Sequence, residues 1–503
     1  MTPARPLALV TAASVSASLL LALPSASQSP SSSTQPARSY ATVTRSLDKL
    51  ASTIAKYGGK LGVSMIEVDS GQTIAATGEH DALNPASNMK LLTAAAALAQ
   101  LSGTWQYRTA LYGKRNGAAV DELVLRGQGD PSLETVDLME MASRLRASGV
   151  RKIQGDILVD QSFFDDQWIP PGFEQQPNEW AYFRAPVSAV ALERNAVTMN
   201  VHPTVADQPA AVSFIPPGLV DVAGSVKTSD GGAQNVTLTL VPNGARLTAR
   251  LGGTIPQDAR TLSTPRRIDN PSLAAGYALR AILAEQGIAV GGSVKAGGDR
   301  ARSVLVQHRS RPMSELLYEL GKHSDNFYAE MVFKSLAAKK KSRGLSAGDG
   351  AAAVIEYLKS VDAHEDGTVI KNGSGLFDTN RVTASALTKV LRAAWHDPAS
   401  SSEYVAHLAI GGVDGTLHGR FTGTKKQRLV RAKTGTLNDV AALSGYVLSP
   451  GGRAPVAFSV LINGVAGKVT GARAAMDKCV GTLVRSVARA RLPSALPAAD
   501  DEE

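Results

Sequence analysis

A serine hydroxyl attacks a carbonyl only when a base takes its proton, and a lysine three residues along a helix faces the same way as the serine. The 503-residue chain holds two such spacings, Ser46 with Lys49 and Ser87 with Lys90. About two are expected by chance at ordinary Ser and Lys frequencies, so context has to separate them. Ser46 lies in TRSLDKLASTIAKYG, an amphipathic pattern with Leu47, Leu50 and Ile54 facing inward and Lys49 solvated. Ser87 lies in NPASNMKLLTAAAALAQLSG, where Pro85 precedes an Ala/Leu run that ends at Gly103. Strong helix formers after a proline place Ser87 in the first turn of a buried helix. Backbone N–H groups at that helix start can stabilise an oxyanion, and a lysine opening a buried helix needs a chemical reason.

Two further triplets carry usable groups. Ser324-Asp325-Asn326 falls between the helical patterns LLYELGKH and FYAEMVFKSLAA. It offers a second hydroxyl for proton relay and an amide for substrate hydrogen bonds. Lys433-Thr434-Gly435 closes the strand-like RLVRA and is followed by Thr436. Lys433 would give positive potential and Thr434 a hydroxyl for a carboxylate. Gly435 lets a substrate backbone lie alongside, and Thr436 would offer its N–H as an oxyanion donor paired with that of Ser87. A lysine at 433 close to Lys90 would depress the pKa of Lys90, because like charges disfavour the charged form.

The elements that must position these residues fall into two groups. Leu61 to Val68 and Thr73 to Thr77 read as a hairpin joined at Ser70-Gly71, followed by the Ser87 helix. Helical spacing returns over Pro312 to Ala338 and Ala347 to Ser360, then AALSGYVLS and APVAFSVLING form an apolar hairpin, and a helix over roughly Ala472 to Arg491 ends the pattern. Between Trp105 and about Arg302, short strand-like pieces such as Glu122 to Leu125 and Val236 to Leu240 alternate with Pro- and Gly-containing turns. The domain layout expected is therefore a discontinuous catalytic unit, 39–104 with 303–495, interrupted by β-rich material over 105–302. That insert divides into two lobes, 105–202 with 260–302, and 203–259.

Residues 1–26 read as a secretory signal peptide, with one charge at Arg5 and an apolar stretch from Leu7 to Leu23. Residues 27–38 are a Ser/Pro/Gln/Thr linker, and 496–503 an acidic tail. Beyond the leader no window offers about 18 consecutive apolar residues, so no transmembrane anchor is expected after cleavage, and the protein is placed in the periplasm or cell-wall space of a bacterium. The net charge of +9 favours anionic polymers such as cell-wall material, while scattered basic residues and 5% aromatics argue against nucleic acid. The single cysteine, Cys479, rules out an internal disulfide and reads as a buried helical thiol. With no Gly-x-Ser-x-Gly, His-Glu-x-x-His or Walker pattern, no metal, nucleotide or other cofactor is implied.

Ordered as Ser-x-x-Lys, Ser-x-Asn and Lys-Thr-Gly, the three motifs resemble those of penicillin-binding proteins and serine β-lactamases. The long interval from Ser87 to Ser324 is similar to that of low-molecular-mass class C penicillin-binding proteins, D-alanyl-D-alanine carboxypeptidases and endopeptidases of peptidase family S13. GQGDPSL at Gly127 to Leu133, the piece from Tyr182 to Asn195, NGSGL at Asn372 to Leu376 and GGVDGTL at Gly411 to Leu417 add to the likeness, which spans roughly Ser39 to Leu492. The resemblance implies an α/β (α+β) fold of the penicillin-binding transpeptidase-like class, with an antiparallel five-stranded sheet, flanking helices and a helical cluster beside the site. It implies catalytic roles for Ser87, Lys90 and Ser324, and substrate binding by Asn326, Lys433, Thr434, Gly435 and Thr436. The substrates implied are peptidoglycan stem peptides, with β-lactams as covalent inhibitors; oligomeric state is left open. One departure is visible: Asp-Gly-Ser-Gly-Leu-Ser-Arg in many members is here Asn372-Gly-Ser-Gly-Leu-Phe-Asp378. A β-lactamase reading lacks a glutamate in a class A deacylation motif, and a non-catalytic wall-binding reading leaves the intact motifs unexplained.

Overall fold

The computed structural model describes residues 40–175, 180–298, 303–423, 428–450 and 453–488. The expected leader, linker and acidic tail lie outside them. Among the described residues no helix is long and apolar enough to cross a membrane.

The central sheet is antiparallel throughout, in the order Ala409–Ile410, Val430–Thr436, Ala441–Val447, Val456–Asn463, Lys60–Glu67, Thr73–Thr77. Five of these strands make the expected sheet, and the two-residue strand Ala409–Ile410 adds a sixth at one edge. Both faces are covered, which is why the inner strands read as nearly continuous apolar runs. Along Val456–Asn463 the side chains alternate: Val456, Phe458, Val460 and Ile462 enter one core, Ala457 and Leu461 the other. The first core is closed by the helices Ala41–Lys56 and Val469–Ala488, so the first and last described helices share one face of the sheet. Cys479 is buried there, its thiol pushed up to about 11 by burial.

The opposite face carries the helical cluster. At its centre lies the helix Met89–Leu101, buried on all sides from Met89 to Leu98. Around it pack the helices Met313–Gly321, Asn326–Ser335, Ala347–Ser360 and Ala384–His396. Ser46 sits away from all of this, its hydroxyl donating to Thr482 Oγ1 at 3.3 Å, with Lys49 exposed to solvent.

The insert has cores of its own. Strands Val294–Ala296, Ile157–Asp160, Leu123–Gly127, Arg108–Gly113 and Ser303–Arg309 form one sheet, packed on the helices Thr135–Ala147 and Ala274–Glu285. A second region holds the three-stranded sheet Ala211–Ile215, Ala196–His202, Leu262–Arg267 and a four-stranded sheet built on Arg246–Pro256. From strand pairing we propose two boundaries that differ from those read in the sequence. Ser303–Arg309 hydrogen-bonds to Arg108–Gly113, so we extend the insert from 302 to 309. Ala196–His202 and Leu262–Arg267 pair in one sheet with Ala211–Ile215, so we draw the second lobe from 196 to 267 rather than 203 to 259.

Candidate active site

Ser87 stands in a short 3-10 turn, Ala86–Asn88, that runs directly into the central helix. The turn is braced from both sides. Asn84 Oδ1 accepts from the Ala86 N–H at 2.8 Å, and Asn463 on the sheet exchanges hydrogen bonds with the Asn84 backbone at 2.8 and 3.0 Å. Asn88 is buried and hydrogen-bonds to Ser444 Oγ at 2.8 Å. Ser87 itself stays partly exposed, while Lys90 one turn later is fully buried.

Lys90 Nζ meets three oxygens: Ser87 Oγ at 3.0 Å, Asn326 Oδ1 at 2.8 Å and the Ser374 carbonyl at 2.7 Å. Burial pulls its pKa from the ordinary lysine value down to about 7, opposed by the charges of Glu330 and Asp325. Desolvation is thus the largest cause at Lys90, one that the reading of the sequence does not name. Lys433 is held well below the lysine range by burial first and by the charge of Lys90 second, and that repulsion acts on both amines. A neutral amine has two N–H donors and one lone pair. An amide oxygen and a carbonyl can only accept, so they take the donors and leave the lone pair directed at the Ser87 hydroxyl.

Ser324 adopts φ +59°, a conformation uncommon for a residue with a side chain, just before the helix Asn326–Ser335. Its Oγ accepts from Lys433 Nζ at 2.8 Å, and Lys433 also donates to the Thr434 carbonyl at 2.8 Å. Thr434 Oγ1 contacts Thr416 Oγ1 at 2.9 Å. The edge strand Ala409–Ile410 pairs with Arg431 and Ala432 only, so Lys433 to Thr436 have no strand partner on that side among the described residues. A Cβ on Gly435 would lie 2.9 Å from the Pro85 carbonyl oxygen and 3.0 Å from Ala86 Cβ. Gly435 is thus what lets this strand lie against the turn that carries Ser87. Beside Thr436 a cleft of about 480 Å³ opens between Phe183, Phe377, Asp378 and Asp439.

Lys90, Asn326 and Ser87 are brought together as one cluster, with Ser324 and Lys433 as a second pair. Sequence reasoning missed Glu330 and the Ser374 carbonyl. Glu330 is buried, and its two oxygens accept from the Gly373 and Ser374 N–H groups at 3.0 and 2.8 Å, which holds the Ser374 carbonyl against Lys90. Its position four residues after Asn326, on the same helix face, was the available signal. The Asn372 departure has a visible purpose: its amide nitrogen donates to the Pro171 and Leu376 carbonyls and to Thr379 Oγ1, which an ionised aspartate cannot do. Asp378 accepts from Asn84 at 3.0 Å and pairs with Arg381 at 2.6 Å, which holds its carboxyl below the usual range.

The profile of the D-Ala-D-Ala carboxypeptidase 3 (S13) family matches residues 43–483. This chain belongs to that family. A D-alanyl-D-alanine carboxypeptidase of Actinomadura sp. (strain R39) is 33% identical over 441 residues, covering 84% of this chain and 81% of its own length. D-alanyl-D-alanine carboxypeptidase DacB of Haemophilus influenzae is 27% identical over 423 residues, covering 81% of this chain and 86% of its own length. The crystal structure of penicillin binding protein 4 (dacB) from Haemophilus influenzae superposes with a TM-score of 0.72 at 25% identity, covering 86% of this chain and 98% of its own. A second crystal structure of that protein, complexed with a β-lactam, superposes at 0.67. The S13 member described here is accordingly a serine-type D-Ala-D-Ala carboxypeptidase of the penicillin-binding class, with the transpeptidase-like fold.

Proposed function

We propose that the enzyme cleaves the D-Ala-D-Ala bond of peptidoglycan stem peptides, as carboxypeptidase or D,D-endopeptidase, through an acyl-enzyme on Ser87. The observation that carries this reading is the buried Lys90 amine, 3.0 Å from Ser87 Oγ with its other two contacts both acceptors. Ser87 Oγ bonds to the substrate carbonyl carbon as its proton passes to Lys90. The oxyanion rests between the backbone N–H groups of Ser87 and Thr436. Breaking the C–N bond releases the D-Ala amine, which receives its proton through Ser324. Asn326, its Oδ1 held by Lys90, keeps its N–H₂ for the substrate amide. Lys433 and Thr434 bind the terminal carboxylate, whose charge raises the Lys433 pKa again on arrival. Gly435 leaves room for the substrate backbone. Water then attacks the ester and frees Ser87.

β-Lactams follow the same first step and remain on Ser87. We place the mature protein outside the inner membrane, after removal of residues 1–26. The test is labelling with a fluorescent penicillin. Wild type and Ser46→Ala are expected to label and Ser87→Ala is not; a labelled Ser87→Ala protein would overturn the mechanism. Assay on defined muropeptides then separates terminal D-Ala release from cross-link cleavage.

A further inference from the structure

Asp325 is the N-cap of the helix Asn326–Ser335, and both of its carboxylate oxygens are engaged. Oδ1 accepts from the Tyr328 N–H at 2.9 Å. Oδ2 accepts from Arg194 Nη1, also at 2.9 Å, and Arg194 belongs to the insert. The same guanidinium lies 3.7 Å from Glu319 Oε2 and stacks over the Tyr328 ring, 5.1 Å from its centroid. Residues on both sides of Ser324 are therefore gathered on one side chain.

Arg194 is aimed by a rigid turn. Glu193, Arg194 and Asn195 take φ values of 51°, 57° and 49°. Three successive side-chain-bearing residues in the left-handed region persist only where their surroundings hold them. Here the Glu193 N–H donates to the Leu133 carbonyl at 3.0 Å and Glu193 Oε1 accepts from the Thr135 N–H at 2.7 Å. Asn195 Nδ2 donates to the Pro186 carbonyl and Ser188 Oγ at 2.8 and 2.9 Å.

Ser324 precedes Asp325 and Asn326 follows it, so a carboxylate fixed at both oxygens fixes the peptide on each side. We propose that Arg194 is a positioning residue for acylation: it locks Asp325, and through it sets Ser324 against Lys433 and Asn326 against Lys90. The insert is then part of the active-site scaffold. This inference rests on the roles given above to Ser324 and Asn326. A rate read on fully folded protein separates it from a purely structural role. The Arg194 side chain is 36% exposed but that of Asp325 only 10%, so removing Arg194 costs some stability, between the values of exposed and buried pairs. Small displacements of catalytic groups, by contrast, cost rate steeply.

The test uses the full chain and a fluorescent penicillin. At a temperature well below its melting midpoint, where it is fully folded, Arg194→Gln is expected to acylate about 10- to 100-fold more slowly, and Arg194→Lys to fall between it and wild type. The double variant Arg194→Gln/Asp325→Asn is expected to be no slower than Asp325→Asn alone, because both act through one contact. Wild-type acylation by Arg194→Gln, or losses that multiply in the double variant, overturns the proposal. If Arg194→Gln does not fold, the same cycle is read with Arg194→Lys. Loss of label in Ser87→Ala tests the nucleophile separately, so the two failures are distinguishable.

Discussion

At Lys90 the chemistry follows from what a buried amine can find. Its two acceptors absorb two donors, burial brings its pKa to about 7, and the lone pair falls to Ser87. Lys90 must be unprotonated to act as base, so acylation is expected to rise with pH through about 7 and then level off; a fluorescent-penicillin pH profile checks it. Glu330 gives this prediction a second handle. Its charge raises the Lys90 pKa, so Glu330→Gln is expected to move the acid limb of that profile to lower pH. The same change leaves one of the Gly373 and Ser374 N–H groups without a full partner, with an expected loss of about 1–3 kcal/mol in denaturant unfolding. The buried helix and a depressed Lys90 were legible in the sequence; Glu330 and the Ser374 carbonyl were not, because they arrive on elements more than two hundred residues further on.

The elements were more legible than the atoms they carry. The hairpin after Lys60, the helix after Pro85 and the closing strands are local patterns, and each stands where periodicity and turn residues place it. Contacts between elements were not legible, because they depend on which backbone meets which. Gly435 shows the difference: in sequence it is one residue of a strand end, read as space for substrate. In the structure it also meets the Ser87 turn, where an added Cβ would lie 2.9 Å from the Pro85 carbonyl oxygen. Gly435→Ala is therefore expected to push the strand away from the turn, separating Thr436 from Ser87. The outcome is an acylation rate lower by about 10- to 100-fold in a protein that still folds. Circular dichroism and labelling rate, measured on one preparation, distinguish that result from unfolding.

Across the whole molecule the sheet divides two tasks between its faces. The front holds the helical cluster and the site, and the insert packs on that side through Phe163, Phe164 and Val187 as well as Arg194. The rear is closed by the first and last described helices. Leu50 lies in that rear core at 2% exposure, packed with residues of Val469–Ala488 and of the sheet. Truncating it removes apolar contact and leaves a cavity far from Ser87. Leu50→Ala is expected to lower stability by about 2–5 kcal/mol, read by urea unfolding. The acylation rate of the folded fraction should stay at the wild-type value, because no residue of the Lys90 or Lys433 clusters packs on that side. A parallel fall in rate would mean that the sheet transmits strain from rear to front, and that the two faces are coupled rather than separate.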